Sequence, residues 1–434
     1  MASEAIGIGL IGMGVVGGGV ARILQDRADY FHQVKGLDLQ IRRVAVRDLS
    51  KPRAVDLPQD LFTDNPEAVV HDPSVQIVVE VMGGLDPAGS LCQLALEAGK
   101  DVVTANKALL AEQGNPLFEA AAKNNVGLGF EASVCGGIPI IQVLSNSLVG
   151  NHIESLYGIL NGTTNYILTR MTEEGGDFDT MLGQAQEKGF AEADPTMDID
   201  GTDAAQKLAL LCRLAFRVHL SPGQILKEGI SHITSLDIDF AGELGYTIKL
   251  LGIARSAGDR IEARVHPALV PQDSLLANIK DEFNAVEVVG SATGPQVFYG
   301  RGAGELPTAS AVVADLITQA ERRKAGHAGP GLVLDNLPEA ITVPPEEIQT
   351  GAYFRLTVYD RPGVLAQIAT LFANKDVSIE TVIQHGRSET QDGTVPLILT
   401  THEAPESSIR AAIEALNQLP IVTEPAQVIR IVNP

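Results

Sequence analysis

The first third of the chain alternates short, apolar, β-rich runs with stretches whose apolar residues recur at helical spacing. The runs cover residues 6–11, 39–46, 75–81, 101–104 and 126–130, and the helical patterns cover 17–25, 89–98 and 115–123. Strands alternating with helices in this way predict an α/β domain, a Rossmann-like doubly wound parallel sheet, over residues 1–139. From residue 140 to 325 the pattern lengthens and becomes more polar, with elements at 153–159, 202–215, 247–254 and 261–269, which predicts a second, mixed α+β domain. Its final helical stretch, 308–323, is expected to return and pack on the first domain. Residues 326–349 are rich in Gly, Pro and acidic residues without periodicity, and read as a linker. Beyond it, residues 350–434 carry strand patterns at 353–358, 377–384, 394–401 and 427–432 and helical ones at 363–374 and 406–416. That order is βαββαβ, the ferredoxin-like arrangement.

Composition narrows the picture. A chain of 434 residues exceeds what one hydrophobic core supports, so several domains are required. The 54 acidic residues against 32 basic ones leave a net charge of −22, a field that repels nucleic acid and anionic membrane surfaces. Neither is an expected partner. Cys92, Cys135 and Cys212 lie far apart and form no CxxC pair, which suits a reducing, cytoplasmic compartment. The apolar stretch 6–21 is Gly-rich, too short to span a bilayer and preceded by Glu4, so it reads as neither export signal nor anchor.

Candidate chemistry starts at Gly12-Met13-Gly14-Val15-Val16-Gly17, a GxGxxG run that follows a strand and opens a helix. Gly12 permits the tight turn, Gly14 lets a pyrophosphate approach the backbone, and Gly17 lets helix and strand pack closely. The helix N-terminus supplies free N–H donors for phosphates. The second strand ends Arg47-Asp48: the arginine suits the 2′-phosphate of NADP and the aspartate a free ribose hydroxyl, so NADP is expected with NAD usable. Ligands of open α/β sheets lie beyond the carboxyl ends of the strands, which here end in Met82-Gly83-Gly84 and Thr104-Ala105-Asn106-Lys107. A further run, Glu192 to Lys207, concentrates carboxylates before a helix and places Asp203 and Lys207 one turn apart. On pattern alone that pair reads first as an ordinary helix-surface ion pair; the other reading is a half-buried lysine whose pKa is set by burial competing with a carboxylate, so that it donates a proton near neutral pH.

Taken together these residues resemble homoserine dehydrogenase, nearly end to end. The resemblance is carried by the Gly12–Gly17 fingerprint, Thr104-Ala105-Asn106-Lys107, the stretches 130–139 and 158–166, the acidic run ending at Lys207, Val265-His266-Pro267, Gly302-Ala303-Gly304 and Pro307-Thr308-Ala309-Ser310. It implies reversible, NADPH-dependent reduction of L-aspartate 4-semialdehyde to L-homoserine, a step toward threonine, methionine and isoleucine. It further implies that Lys207 is the proton donor, with Lys107 assisting near the nicotinamide. Glu192, Asp198 and Asp203 are expected as substrate ligands, with Asn161, Gly162 and Thr163 supplying donors. Gly83, Thr104, Lys107 and Gly302 join the fingerprint and Arg47 as expected cofactor contacts. A monovalent cation, sodium by resemblance, is expected at Glu131, Val134, Gly136 and Ile138, the last three through backbone carbonyls.

Residues 353–432 resemble an ACT domain, with Asp360-Arg361-Pro362-Gly363-Val364-Leu365 at the first strand-to-helix turn. The resemblance implies a homo-oligomer, dimer or tetramer, and an amino-acid effector, expected to be L-threonine. A pairing module without ligand is the plain alternative. Phosphoglycerate dehydrogenases share the outer layout but lack the 198–207 run, and an inert amino-acid sensor is disfavoured by the presence of Lys107, Asp203 and Lys207.

Overall fold

The computed structural model describes residues 5–326, 331–386 and 393–434; Glu4 and residues 327–330 of the expected linker lie outside it. The chain begins β1 (Ile6–Ile11), α1 (Val15–Asp26), β2 (Leu39–Ala45), β3 (Phe62–Thr63), α2 (Glu67–His71), β4 (Ile77–Glu80), α3 (Ala88–Glu97), β5 (Asp101–Thr104), α4 (Lys107–Lys123) and β6 (Leu128–Gly129). These strands form a six-stranded parallel sheet in the order β3-β2-β1-β4-β5-β6. Its central strands β1 and β4 are apolar except for Glu80 at the end of β4 and are almost wholly buried, as a parallel sheet covered by helices demands. The sheet order reverses beside β1, so the carboxyl end of β1 opens the crevice that holds the Gly12–Gly17 turn.

The middle of the chain comprises β7 (Ile153–Ile159), α5 (Gly162–Glu174), α6 (Phe178–Glu187), α7 (Thr202–Ala215), β8 (Leu226–Lys227), α8 (Ser235–Glu243), the long hairpin β9 (Tyr246–Ala257) and β10 (Arg260–Pro271), then β11 (Phe283–Gly290), β12 (Gly294–Arg301) and α9 (Glu305–Lys324). Helix α9 leaves this domain and packs on α1: Gly19 of α1 sits so close that a Cβ there would lie 2.9 Å from that of Ala309, and Val20, Leu24, Val312 and Leu316 share one buried cluster. The C-terminal elements are β13 (Gln349–Tyr359), α10 (Val364–Ala373), β14 (Ile379–Gln384), β15 (Thr394–Thr401), β16 (Ala404–Pro405), α11 (Glu406–Leu416) and β17 (Gln427–Ile431). The α/β class, the Rossmann-like first domain, the mixed catalytic domain and the C-terminal ACT domain expected from the pattern are all present.

Two features depart from the sequence reading. The helix expected over 115–123 starts at Lys107, because Asn106 caps it by accepting from Leu109 N at 3.2 Å; Pro116 is tolerated inside since Gln113 breaks the helical backbone just before it. The stretch expected to be a plain linker is tied down where it is described. Leu334 and Ala340 are buried, Thr342 bridges to Ile261, and Arg260 meets Glu347 at 2.8 Å.

The C-terminal domain is joined to the catalytic domain by backbone as well. Strand β17 pairs parallel with β10 through Ala268↔Arg430 and Leu269↔Ile431, giving one continuous eleven-stranded sheet in the order β12-β11-β7-β9-β10-β17-β13-β15-β14, with β8 paired to β10 and β16 to β13 beside that path. Arg430 rivets this seam. It is buried and its guanidinium reaches both oxygens of buried Glu406, at 3.0 and 2.5 Å, and Glu228 Oε2 at 2.6 Å. Those carboxylates hold the Arg430 charge firmly, its pKa moving up against the opposing effect of burial. We expect Arg430→Met to destabilise the protein by about 3–5 kcal/mol, since buried Glu406 loses its counter-charge. Arg260→Met, at an exposed pair, should cost less than about 1 kcal/mol. Denaturant midpoints compare the two, and equal shifts would show that the seam does not depend on Arg430.

Candidate active site

Helix α7 carries the centre of the site. Its repeat buries Ala204, Leu208 and Leu211 and turns Asp203 and Lys207 together toward a cavity of about 580 Å³ between the first two domains. Buried Asp203 takes a hydrogen bond from Lys207 Nζ at 2.8 Å and from Asn161 Nδ2 at 2.8 Å on Oδ2, while Lys107 Nζ approaches Oδ1 at 3.0 Å. Lys107 comes from the first turn of α4, and Asn161 is the N-cap of α5, accepting from Thr164 N at 2.8 Å. Three elements from two domains therefore converge on one carboxylate. Lys207 Nζ also donates to the Leu160 carbonyl at 2.7 Å.

Burial alone would raise the Asp203 pKa, yet the two lysines and Asn161 outweigh it and hold the carboxyl well below its usual range. The reciprocal effect appears at Lys207, where burial is the largest single influence and lowers the pKa, but Asp203 together with other neighbours turns the net shift upward. The competition left open by the sequence is thus won by charge: Asp203 and its neighbours shift the Lys207 pKa upward from its ordinary value, favouring the ammonium over the near-neutral donor expected from the sequence. Asp198, within the same network, is pushed up by burial and by the charge of Asp203.

Glu192, Asp198, Asn161, Gly162, Thr163 and Gly302 line this cavity with the two lysines and Val16. The polar groups of 161–164 are less available than expected. Asn161 Nδ2 is shared by Asp198 and Asp203, and the Thr163 hydroxyl lies 2.7 Å from the Phe190 carbonyl and 3.1 Å from Asp198 Oδ2. Donors for an anionic group are left to the first-turn N–H groups of α5, at Gly162 and Thr163. Thr104 is fully buried, and its hydroxyl donates to Glu80 Oε2 at 2.6 Å, bracing the strand end beside the cavity. The same Glu80 accepts from Gly83 N at 3.1 Å on its other oxygen, fixing the turn after β4.

A second cavity, about 560 Å³, lies on the other side of the glycine turn and is lined by Gly12, Met13, Gly14, Arg47, Asp48, Lys51 and Arg53. Gly12 has φ +104°, and a Cβ on Gly17 would lie 2.2 Å from the Gly12 carbonyl, so both glycines are obligatory. Nothing within 4 Å faces a Cβ at Gly14, which leaves backbone open for a close-approaching ligand. Val15, mostly exposed, starts α1. Asp48 accepts from both Ser50 N and Ser50 Oγ, and Arg53 donates to the Met13 and Asp48 carbonyls. Arg53 and Lys51 were missed in the sequence; the signal was the basic Lys51-Pro52-Arg53 just after the strand. The backbone cradle and the cationic side chains fit the phosphates of a nicotinamide dinucleotide.

At the domain junction Glu131 is buried, its two oxygens accepting from Ile141 N at 2.9 Å and Gln142 N at 2.8 Å. Burial drives its pKa to about 7. Glu131 N donates to Asp315 Oδ2 of α9 at 2.8 Å, and burial raises that carboxyl to about 8. Val134, Gly136 and Ile138 follow in one tight loop, where a Cβ on Gly136 would meet the Gly302 carbonyl at 2.7 Å. A buried carboxylate with no basic side chain bonded to it, beside a carbonyl-rich loop, fits a hard monovalent cation. Among the described residues no cluster of three or more His, Cys, Asp or Glu side chains forms a metal site, and no helix is long and apolar enough to cross a membrane.

A glycine-turn dinucleotide crevice opening onto a lysine–carboxylate–lysine cluster defines a nicotinamide-dependent oxidoreductase. Comparison with known proteins sharpens that class. Residues 139–317 match the family described as homoserine dehydrogenase, 12–131 its NAD-binding domain and 352–420 the ACT domain. The homoserine dehydrogenase of Synechocystis is 44% identical across 98% of this chain and 99% of its own, and that of Bacillus subtilis 41% identical across 97% of both. The crystal structure of a homoserine dehydrogenase from Thiobacillus denitrificans superposes with a TM-score of 0.93 at 44% identity, covering 99% of both chains. A hyperthermophilic archaeal homoserine dehydrogenase in complex with NADPH, 26% identical with a TM-score of 0.62, covers 75% of this chain and 99% of its own. The chain belongs to the homoserine dehydrogenase family.

The geometry makes Asp203 the regulator of Lys207. Asp203→Asn removes the charge that opposes desolvation, so the Lys207 pKa falls. If Lys207 is the group that takes the alcohol proton in the oxidation of L-homoserine, its neutral amine is the competent form, and the rate climbs with pH until that amine is formed. The alkaline plateau of kcat/KM should therefore move to lower pH in Asp203→Asn. An unmoved plateau would show that another group carries the proton.

Proposed function

We propose that this homoserine dehydrogenase prefers NADP and that Lys207 is its proton donor in the reduction of L-aspartate 4-semialdehyde. The observation that carries the reading is the Lys107–Asp203–Lys207 cluster facing a cavity that adjoins the glycine turn. When bound, the reduced nicotinamide supplies the hydride. Negative charge then develops on the aldehyde oxygen, which the Lys207 ammonium stabilises and protonates. Lys107 adds a second cation on the cofactor side. Asp203 pairs with Lys107, favours the charged form of Lys207 and, with the Leu160 carbonyl, aims Nζ of Lys207. The substrate ammonium is assigned to Glu192 and Asp198, and its carboxylate to the first-turn N–H groups of α5.

Arg47, Lys51 and Arg53 support a 2′-phosphate on the cofactor, since three cations converge at the end of β2 while Asp48 is engaged by Ser50. The uncompensated carboxylate of Glu131 supports a sodium ion held with the carbonyls of Val134, Gly136 and Ile138. The ACT domain supports an amino-acid effector, L-threonine by the chemistry of the pathway end product, and a homo-oligomer.

Lys207→Ala is expected to lower kcat by about 10²–10⁴-fold, the usual loss for a general acid. NADP affinity, read by fluorescence titration, should stay near that of the unaltered enzyme, because the dinucleotide crevice is on the other side of the turn. Retention of most of kcat removes Lys207 from the reaction.

Arg47→Asp, assayed with both cofactors, should raise KM for NADP far more than for NAD, since it replaces a phosphate partner by a repelling charge. Arg53→Gln should act in the same direction. Equal changes for the two cofactors would mean that neither arginine reads the 2′-phosphate.

A further inference from the structure

At the seam between the catalytic sheet and the C-terminal domain lies a third cavity, about 230 Å³. That is several times the share of one water, about 30 Å³, and below the roughly 300–1,000 Å³ of sites for drug-sized ligands. A small metabolite is the matching size. The wall from the catalytic side is cationic, Arg255 and Arg264 of β9 and β10; the wall from the C-terminal side is anionic, Glu380 and Glu403. Arg264 is 2% exposed, and its Nε forms an ion pair with Glu262 Oε1 at 2.9 Å at an angle that makes no hydrogen bond, so its hydrogen-bonding capacity is left unfilled. Arg255 spends its Nε on the Tyr157 hydroxyl at 3.0 Å, which fixes the guanidinium beside the cavity.

A site with a buried, incompletely satisfied guanidinium at one end and carboxylates at the other selects a molecule with a carboxylate and an ammonium a few bonds apart. We propose that this cavity is the effector site and that it binds a free α-amino acid, its carboxylate on Arg255 and Arg264 and its ammonium on Glu380 and Glu403. The inference rests on the effector role assigned above to the C-terminal domain, and it places the ligand at the inter-domain seam, away from the 360–363 turn.

The position connects directly to the chemistry. Arg264 precedes Val265, which pairs with Gly252 of β9. Gly252 lies against Leu160, where a Cβ would come within 2.8 Å of Cδ1, and the Leu160 carbonyl is the acceptor that aims Lys207. A ligand that draws Arg264 and Glu403 together acts on the β9–β10 register one contact from that carbonyl. Effector coupling of this kind ordinarily changes apparent affinity by about 5–150-fold.

The test is calorimetric titration of the full chain with L-threonine, L-isoleucine and L-methionine, alongside acetate and ethylammonium, which each carry one of the two charges. An amino acid should bind, the single-charge compounds should bind far more weakly, and Arg255→Gln and Glu403→Gln should each weaken binding at least about tenfold, the scale of one lost charge-assisted hydrogen bond. Asp360→Asn, at the other end of the domain, should leave binding intact. Both cavity positions are partly or fully exposed, and thermal midpoints check that the variants fold. Loss of binding in Asp360→Asn with none in the cavity variants overturns this location and leaves the effector role standing. Absence of binding by all three amino acids to the unaltered chain overturns both.

Discussion

One buried carboxylate organises the reactive half of this molecule. Asp203 is accessible at the cavity edge only, and a carboxylate in that place is tolerated because Lys107, Lys207 and Asn161 surround it. Each of the three arrives from a different direction: the first turn of a Rossmann helix, one turn further along α7, and the cap of α5. Neutralising Asp203 is therefore also the act that fixes the distance between the dinucleotide-binding domain and the catalytic domain at the reacting centre. The same contact raises the Lys207 pKa, so the placement of this lysine and its preference for the charged form share an origin.

The second junction is made by α9, whose Asp315 accepts from Glu131 N while its apolar side fills the groove beside α1. The chain thus leaves the first domain after β6, builds the catalytic domain, and returns to close on α1. Both crossings between the domains run past the 131–138 loop, which touches Gly302 through Gly136. Two buried carboxyls, with pKa values pushed to about 7 and about 8 by burial, sit where the domains would otherwise hinge. Charge compensation at that loop is accordingly a matter of domain geometry as much as of local stability.

Periodic features were legible in the sequence. Helices α7 and α11 have the bounds that their apolar repeat indicates, since an amphipathic stripe on a core is a local property of the chain. The same holds for β1 and the glycine turn, where strand, turn and helix follow one another without interruption. Features were lost where the deciding contact is remote. The start of α4 was hidden by Gly114-Asn115-Pro116, a strong turn signal that a helix break at Gln113 accommodates. The direction of the Lys207 pKa could not be read because it depends on burial and on Cys135 and Asp198 as well as on the neighbour four residues earlier. Thr104 carries a polar group suited to a ligand, yet Glu80, two dozen residues away, takes its hydroxyl. The β10–β17 seam is two residue pairs of parallel pairing, too short to leave any pattern.

That seam changes what the C-terminal domain is. A βαββαβ unit reached through a Gly/Pro-rich stretch looks separable, and the archaeal relative that covers 75% of this chain shows how much of the family's structure can stand in a shorter chain. Here, however, removal of residues beyond 346 would strip β17 from β10 and leave buried Arg264 and His266 beside an open edge. Tyr353 and Arg355 would also leave Asp237 of α8, a buried carboxylate to which both donate, at 3.2 Å and at 2.6 and 3.1 Å. A truncated chain therefore differs from the whole in catalytic-domain structure as well as in lacking the C-terminal domain, and a change in its response to an amino acid would not by itself locate a binding site. Point substitutions at the seam separate these two consequences, because they leave the continuous sheet in place while changing only the charges that face the cavity.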